Sequence, residues 1–202
     1  RLYATDASIY QIEPRAVAFP RNADEVSSLV RAAAADGLSV IPRGAGTGLV
    51  GGAIGDGLVI DAARYNRGIT HFDRDARTVH VEPGVVLDQL NAYLKPHGLR
   101  FGPDVATSSR ATLGGMIANN SSGSHVPVYG TTIDHVRAID FVFESAQGLE
   151  NLFGMLDPAF LRATPLFVPH PRIAEVARAR AVREVITAGA SDDEMLDALM
   201  AY

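Results

Sequence analysis

The distribution of apolar and polar positions predicts a β-α-β unit near the start of the chain. Short apolar runs at 16–19, 38–41 and 58–61, bounded by polar, Pro or Gly residues, are typical of buried strands. Between the first two runs, Asn22 can cap a helix that Gly37 would end. Apolar residues at helical spacing lie inside that interval: Val26, Leu29, Val30 and Ala33. The second strand then leads directly into a glycine-rich segment.

The later pattern predicts further elements and a change of character near residue 147. Before that point we expect a hairpin of strands at 69–72 and 78–81, helices at 85–94 and 114–118, and a strand at 136–143. After it we expect helices at 173–188 and 192–200. The predicted domains are therefore 1–147, which holds all the glycine-rich sequence of interest, and a mainly helical segment at 148–202.

Two glycine-rich stretches carry most of the chemical information. The first is PRGAGTGLVGG at 42–52, and the second is GGMIANNSSG at 114–123. Glycine lacks a Cβ, so its backbone amides can approach a ligand closely, and such amides commonly bind phosphate. Two stretches in one small domain favour a ligand with a long phosphate bridge, such as a dinucleotide.

Two common phosphate-binding motifs fit the first stretch poorly. No Lys follows its glycines, which argues against a P-loop NTPase. Residues 46–51 do match G-x-G-x-x-G after a predicted strand. A dinucleotide-binding Rossmann fingerprint must then open a helix, however, and here further glycines lead into the strand at 58–61.

Composition narrows the class of protein. The 202 residues carry a net charge of −5 with no basic cluster, so nucleic acid is not an expected partner. The chain has no Cys, its six His share no metal-ligand spacing, and no metal site is predicted. No apolar run is long enough to span a membrane and no signal peptide is recognisable, which favours a cytoplasmic protein. Because position 1 is Arg, a fragment of a longer protein is left open.

The order of these motifs resembles a known family. After the predicted strand, helix and strand, the chain carries four motifs in order: Pro-Arg-Gly-Ala-Gly-Thr-Gly, Pro-Asp, Thr-Leu-Gly-Gly and Ser-Ser-Gly. This order resembles that of the FAD-binding domain of vanillyl-alcohol-oxidase-like (PCMH-type) flavoproteins. Within that group, the chain is similar to the glycolate oxidase and D-lactate dehydrogenase branch over residues 3–145. The resemblance implies an α+β fold of two subdomains, a small β-α-β subdomain and a larger mixed or antiparallel sheet flanked by helices.

The resemblance also implies which residues contact FAD. The pyrophosphate loop would be Pro42, Arg43, Gly44, Ala45, Gly46, Thr47, Gly48 and Leu49. A second segment would line the pyrophosphate and ribityl chain: Pro103, Asp104, Ser108, Thr112, Gly114, Gly115, Asn119, Ser122 and Gly123. The adenine end would be near Tyr129, Gly130, Asp134 and Val136. For Asp104 we expect bonds to backbone amides or ribityl hydroxyls rather than to phosphate, and for Arg43 either a phosphate contact or an ordering role in the loop.

The implied function is that of a flavoprotein dehydrogenase or oxidase acting on a 2-hydroxy acid of the D-lactate, glycolate or D-2-hydroxyglutarate type. FAD would be noncovalent, because residues 45–47 contain no His or Cys. An electron acceptor or iron–sulfur partner and peripheral membrane contact through a partner are left open. Catalytic residues cannot be named, since the family places them mostly in a cap domain. The alternatives are a non-catalytic domain with this fold, or an FAD enzyme of the alkyl-glycerone-phosphate synthase type.

Overall fold

The computed structural model describes residues 1–139, 162, 166–168 and 171–187. The chain divides into two compact units, Arg1–His135 and Val136–Tyr202, which are treated separately below. In the described residues, no helix combines the length and the apolar character needed to cross a membrane.

A three-stranded parallel sheet lies at the start of the first unit. Strands β1 (Ala16–Ala18) and β2 (Val40–Arg43) both pair with β3 (Leu58–Asp61), which lies between them. All four residues of β3 are buried, as expected for a central strand with both faces covered. Strand β2 begins and ends two residues later than predicted, so it includes Pro42 and Arg43 and delivers the glycine-rich segment at the carboxyl edge of the sheet.

Helix α1 (Ala23–Ala35) connects β1 to β2 and confirms the predicted β-α-β unit. Its N-cap is Asn22, whose Oδ1 accepts a hydrogen bond from the Glu25 amide at 2.9 Å. Gly37 follows the helix with a φ of +64°, the left-handed conformation that glycine adopts most easily. A small core forms beneath the helix, where these buried residues meet: Ala33, Leu58 and Ile60.

The second part of the unit contains an antiparallel hairpin and a helix. Strands β4 (Ile69–Asp73) and β5 (Thr78–Val81) pair as predicted, with a register shift near Asp73. Helix α2 (Leu87–Leu94) begins two residues later than predicted, because Val86 is extended and bridges to Thr112. The main core forms here from these buried residues: Val85, Leu87, Leu90, Leu94, Ala111, Leu113 and Met116.

Short helical elements complete the first unit. A 3₁₀ turn (Lys95–His97) follows α2, and helix α3 (Leu113–Ala118) agrees with the predicted helix to within one residue. Helix α4 (Val126–Tyr129) and a second 3₁₀ turn (Thr132–His135) were not predicted from sequence, because each spans a single turn and has no apolar period.

The second unit differs from the sequence prediction. Helix α5 runs only from Pro171 to Ala179, and strand β7 (Val185–Thr187) pairs in parallel with β6 (Leu166–Val168). The single long helix predicted at 173–188 is therefore wrong. The β-branched residues of β7 suit a strand, and pairing with β6 supplies the partner that local sequence could not reveal. Of the predicted strand at 136–143, residues 136–139 form no regular element; the rest of it and the helix at 192–200 lie outside the described residues.

The fold class is confirmed: the molecule is mixed α and β, with a β-α-β part and an antiparallel part.

Candidate cofactor-binding site

The first glycine-rich stretch leaves β2 at the carboxyl edge of the parallel sheet. Residues 44–57 contain no helix and return to the sheet as β3, so the Rossmann interpretation fails on structure as well as on sequence. Leu49 and the following Val50 are 74% and 79% exposed. The loop therefore presents its backbone and two apolar side chains to the outside of the unit.

Arg43 orders this loop through its guanidinium group. Its Nη1 donates to the Ala53 carbonyl and its Nη2 to the Thr5 carbonyl, both at 2.8 Å. The guanidinium also lies 5.2 Å from the centre of the Tyr3 ring. Of the two roles expected for Arg43, these contacts support the ordering of the loop.

The N-terminal segment 3–12 packs along the same loop. The Ala7 amide donates to the Gly46 carbonyl at 2.9 Å, and a Cβ on Gly51 would lie 3.0 Å from the Tyr10 ring. Asp6 accepts from the amides of Ser8 and Ala53 at 2.8 and 3.4 Å. Burial opposes the ionisation of Asp6, but hydrogen bonds from Ser8 and Ala53 prevail and lower its pKa.

Tyr3 anchors the segment to the sheet. Its hydroxyl donates to Oδ2 of Asp61, a buried carboxylate at the end of β3, at 2.7 Å. Burial and this hydrogen bond together raise the pKa of Tyr3 to about 12. Sequence reasoning did not assign a role to Tyr3, because the 58-residue separation from its partner leaves no local signal.

The two glycine-rich stretches meet at Thr112. A Cβ on Gly44 would lie 2.2 Å from Thr112 Oγ1, and one on Gly115 would lie 3.3 Å from the same atom. Thr112 is 2% exposed, and its hydroxyl has no hydrogen-bond partner among the described residues. The Thr112 hydroxyl is therefore a buried donor at the junction of Gly44, Thr112 and Gly115. Position 44 requires glycine, because only a residue without a Cβ can approach Thr112 so closely.

The other glycines of the first stretch differ in the space around them. A Cβ on Gly48 or Gly52 would meet no atom within 4 Å, whereas one on Gly46 would lie 2.8 Å from Arg43 Nη2. Gly46 also has a φ of +65°, so any other residue there would be strained. Within the predicted pyrophosphate loop at 42–49, a side chain at Gly48 would therefore project into free space.

Helix α3 carries the start of the second glycine-rich stretch. Main-chain hydrogen bonds fix its first residues. The Leu113 amide donates to the Val85 carbonyl at 2.8 Å, and the Gly114 amide donates to the Pro83 carbonyl at 2.9 Å. The Asn119 side chain donates to the Gly115 carbonyl at 2.8 Å, inside its own helix. Gly114 and Gly115 are therefore held close to the junction.

The turn after α3 packs against Asp104. A Cβ on Gly123 would lie 2.1 Å from Asp104 Oδ1 and 2.3 Å from the Asp104 carbonyl oxygen. The Asp104 carboxylate pairs with the His125 ring through Nδ1 and accepts from Ser124 Oγ at 3.5 Å and from the His125 amide at 3.4 Å. The hydrogen bond from His125 lowers the pKa of Asp104. The expected amide contact of Asp104 is present, while its main partner, His125, was missed.

The predicted adenine-end residues form a compact turn. The Thr131 amide and hydroxyl donate to Asp134 Oδ2 at 2.7 and 3.0 Å and lower the pKa of that carboxyl. Gly130 has a φ of +70°, and a Cβ there would lie 2.4 Å from the same carboxylate. The Tyr129 ring lies 5.2 Å from the Arg100 guanidinium.

The contacts bring the predicted residues together in separate groups. Gly44, Thr112 and Gly115 are directly adjacent, Asp104 meets Gly123, and Gly130 meets Asp134. The Pro103 side chain is fully buried, and Ser108 contributes its carbonyl to the start of α2. Val136 belongs to the second unit.

Comparison with known proteins identifies the family. A family model described as "FAD binding domain" matches residues 14–149, about two thirds of the chain.

The chain belongs to the FAD binding domain family. This confirms the predicted family and its cofactor, FAD. A D-2-hydroxyglutarate dehydrogenase of Pantoea ananatis (strain AJ13355) is 48% identical over 139 residues, covering 67% of this chain and 14% of that protein. The glycolate oxidase subunit GlcD of Bacillus subtilis (strain 168) is 37% identical, over 70% of this chain and 30% of that protein. The chain thus spans less than a third of the length of these relatives.

Solved structures agree with the fold. An alkyldihydroxyacetonephosphate synthase superposes with a TM-score of 0.59 and 26% identity, covering 69% of this chain and 28% of that one.

The residues of this structure fit an FAD. A dinucleotide needs hydrogen-bond donors for its phosphates and a backbone that approaches without side chains in the way. The unpaired buried hydroxyl of Thr112 would supply a donor, and the space beside Gly48 would supply access.

Proposed function

We propose that the residues around the junction of Gly44, Thr112 and Gly115 hold FAD noncovalently. The observation that carries this proposal is the buried Thr112 hydroxyl, which lacks a partner among the described residues and lies between the two glycine-rich stretches. A buried hydroxyl without a partner costs about 1–3 kcal/mol. A ligand oxygen at this point would remove that cost, so binding would be stabilised.

Each part of the site would have a distinct task. The loop amides at 44–49 would donate to the pyrophosphate, with Arg43 fixing the loop against Thr5 and Ala53. The second stretch would hold the remainder of the molecule, with Asp104 fixing the turn at Gly123. Residues 45–47 contain no His or Cys that could attach the flavin covalently, which supports a noncovalent cofactor.

We further propose that the chain serves a 2-hydroxy acid dehydrogenase. The relatives named above include a D-2-hydroxyglutarate dehydrogenase and a glycolate oxidase subunit, and sequence similarity to both supports a small hydroxy acid as substrate. Bound FAD would supply hydride acceptance from the carbon that bears the hydroxyl. The residues of this chain would bind and orient the cofactor, and electron transfer to an acceptor or iron–sulfur partner would complete the cycle.

Two measurements test this proposal in order. The purified chain, incubated with FAD and desalted, should retain flavin absorbance near ~450 nm, as is typical of bound flavin. The loaded chain is then assayed with D-2-hydroxyglutarate, D-lactate and glycolate and an artificial electron acceptor. A chain that never retains FAD would overturn the binding proposal. A chain that retains FAD yet reduces no acceptor with any of the acids would overturn independent turnover and leave the cofactor-holding role standing.

A further inference from the structure

A carboxylate–imidazole pair lies at the end of the second glycine-rich stretch, where Gly123 packs against Asp104. Asp104 Oδ2 meets Nδ1 of His125, and the two residues come from separate loops that are 21 positions apart. The His125 amide also donates to Asp104 Oδ1 at 3.4 Å. The carboxylate therefore fixes the ring orientation of His125 and places the proton on Nδ1.

The other edge of the His125 ring is open. The side chain of His125 is 63% exposed, compared with 22% for Asp104. No hydrogen bond to Nε2 of His125 is formed within the described part of the chain. An imidazole held at Nδ1 by a carboxylate retains Nε2 for a ligand.

Groups of both signs lie near His125. Asp104 faces it from the loop at 103–105, and Ser124 Oγ lies 3.4 Å from Nδ1. From α4 the Tyr129 ring lies 6.0 Å away, with the Arg100 guanidinium over that ring at 5.2 Å. His135 Nε2 is already engaged by the Tyr129 carbonyl at 2.6 Å. Asp104 therefore contacts His125 directly, whereas Arg100 contacts the neighbouring Tyr129.

We propose that His125, positioned by Asp104, is an anion-binding residue that donates from Nε2 to an anionic oxygen of the ligand. This inference rests on the proposed function and adds a residue that the sequence did not indicate. The anionic oxygen can belong to the FAD pyrophosphate or to the carboxylate of the hydroxy acid. The adjacency of Gly123 to Asp104 places the pair at the second glycine-rich stretch, where the phosphate is expected.

The test compares two ligands and several variants. FAD and riboflavin, which lacks phosphate, are titrated into the chain and binding is followed by flavin fluorescence. His125→Gln should bind FAD about 10-fold more weakly than the wild type, because the hydrogen bond from Nε2 to an anionic oxygen is lost. The affinity for riboflavin should be the same in His125→Gln and in the wild type, because riboflavin carries no phosphate.

Two further variants separate anion binding from a merely structural role. His125→Arg places a donating cation at the same position, so it should bind FAD about as tightly as the wild type. Asp104→Asn removes the carboxylate that holds the His125 ring, so it should weaken FAD binding and leave riboflavin binding unchanged. Urea unfolding of each variant confirms that it is folded; His125 is exposed enough for substitution to leave the fold intact.

A last arm distinguishes the source of the anion. Equilibrium dialysis of D-2-hydroxyglutarate against the FAD-loaded chain measures the carboxylate directly. Weaker binding of FAD or of the hydroxy acid in His125→Gln supports the proposal and shows which of the two carries the anionic oxygen. An effect on riboflavin equal to that on FAD, or no effect of His125→Gln on either anion, overturns it. Retention of FAD by the wild type would still support the proposed cofactor site in that case, so the two proposals are tested by different results.

Discussion

Removal of the Thr112 hydroxyl tests whether this residue binds the ligand or only packs in the core. We expect Thr112→Val to leave the free energy of unfolding unchanged or raise it by about 1 kcal/mol, because an unpaired buried hydroxyl is removed without loss of volume. FAD affinity should fall about 10-fold, as a donor to the ligand is lost. Urea unfolding and fluorescence titration measure the two effects.

The matched control is Thr132→Val. Thr132 is equally buried, but its hydroxyl donates to the Ser121 carbonyl at 2.7 Å. Its removal should lower the free energy of unfolding by about 1 kcal/mol, because one hydrogen bond is lost while the Ser121 carbonyl keeps its bond from the Thr132 amide at 3.0 Å. Equal destabilisation in both variants would show that Thr112 is satisfied in the free chain and would contradict its assignment as a ligand donor.

Substitution of Gly44 and of Gly48 in the first stretch should have opposite effects on folding stability and FAD binding. Gly44→Ala should lower the free energy of unfolding by about 1–3 kcal/mol, because its Cβ would meet Thr112 Oγ1 at 2.2 Å. Gly48→Ala should change it by less than about 0.5 kcal/mol, since nothing lies within 4 Å, yet it should weaken FAD binding. FAD affinity unchanged in Gly48→Ala would place the ligand elsewhere. Thermal unfolding and titration of both variants decide the matter.

At the residue scale, sequence reasoning was strongest for glycine and weakest for distant partners. The sequence marked Gly44 and Gly123 as positions of close backbone approach to a ligand, and in the structure they also approach Thr112 and Asp104, which the sequence did not indicate. His125 and Tyr3 were missed, because Asp104 and Asp61, their partners, are 21 and 58 positions away. Only the folded chain brings such pairs together.

At the scale of elements, Tyr3 attaches the N-terminal segment to the sheet. Its pKa is raised from 10.0 to about 12, so the protonated form is favoured in the folded state. The stabilisation is fully present below pH 10 and is lost as pH rises through about 12. We expect the segment to detach over that interval, with ionisation of Tyr3 followed by ultraviolet absorbance and the segment by limited proteolysis.

The control for this alkaline transition is Tyr3→Phe. It removes the hydrogen bond to Asp61 while retaining the ring beneath Arg43. Its segment should be cleaved more readily already at neutral pH, and further alkalinisation should add little. A wild-type segment that stays protected above the transition would contradict the anchoring role of Tyr3.

The parallel sheet depends on a glycine that the sequence did not single out. A Cβ on Gly57 would lie 2.0 Å from the Ser39 carbonyl oxygen, where the chain enters β3. We expect Gly57→Ala to lower the free energy of unfolding by about 1–3 kcal/mol, because the backbone must move apart. Gly52→Ala, with no atom near its Cβ, should have little effect in the same urea titration, and equal losses would contradict this explanation.

Prediction of elements succeeded where the apolar pattern and the caps agreed. Helix α1 combines an Asn22 cap with Gly37 at its end, and it was predicted correctly. The failure at α5 has a physical cause. The segment 180–187 is compatible with helical spacing, but β7 is stabilised by pairing with β6, a tertiary contact that no local pattern contains.

At the scale of the whole molecule, FAD binding should appear as stability of the first unit. A ligand that binds only the folded state stabilises it by about 2.7 kcal/mol at 100 times its Kd. For a protein of this size, that corresponds to a rise of roughly 5–10 °C in Tm. Calorimetry with and without FAD measures the rise. Thr112→Val should show a smaller rise at the same FAD concentration, because its affinity is weaker. Equal rises in Tm for wild type and variant would show that FAD does not bind at the junction at Thr112. No rise in Tm for either would show that the first unit does not bind FAD.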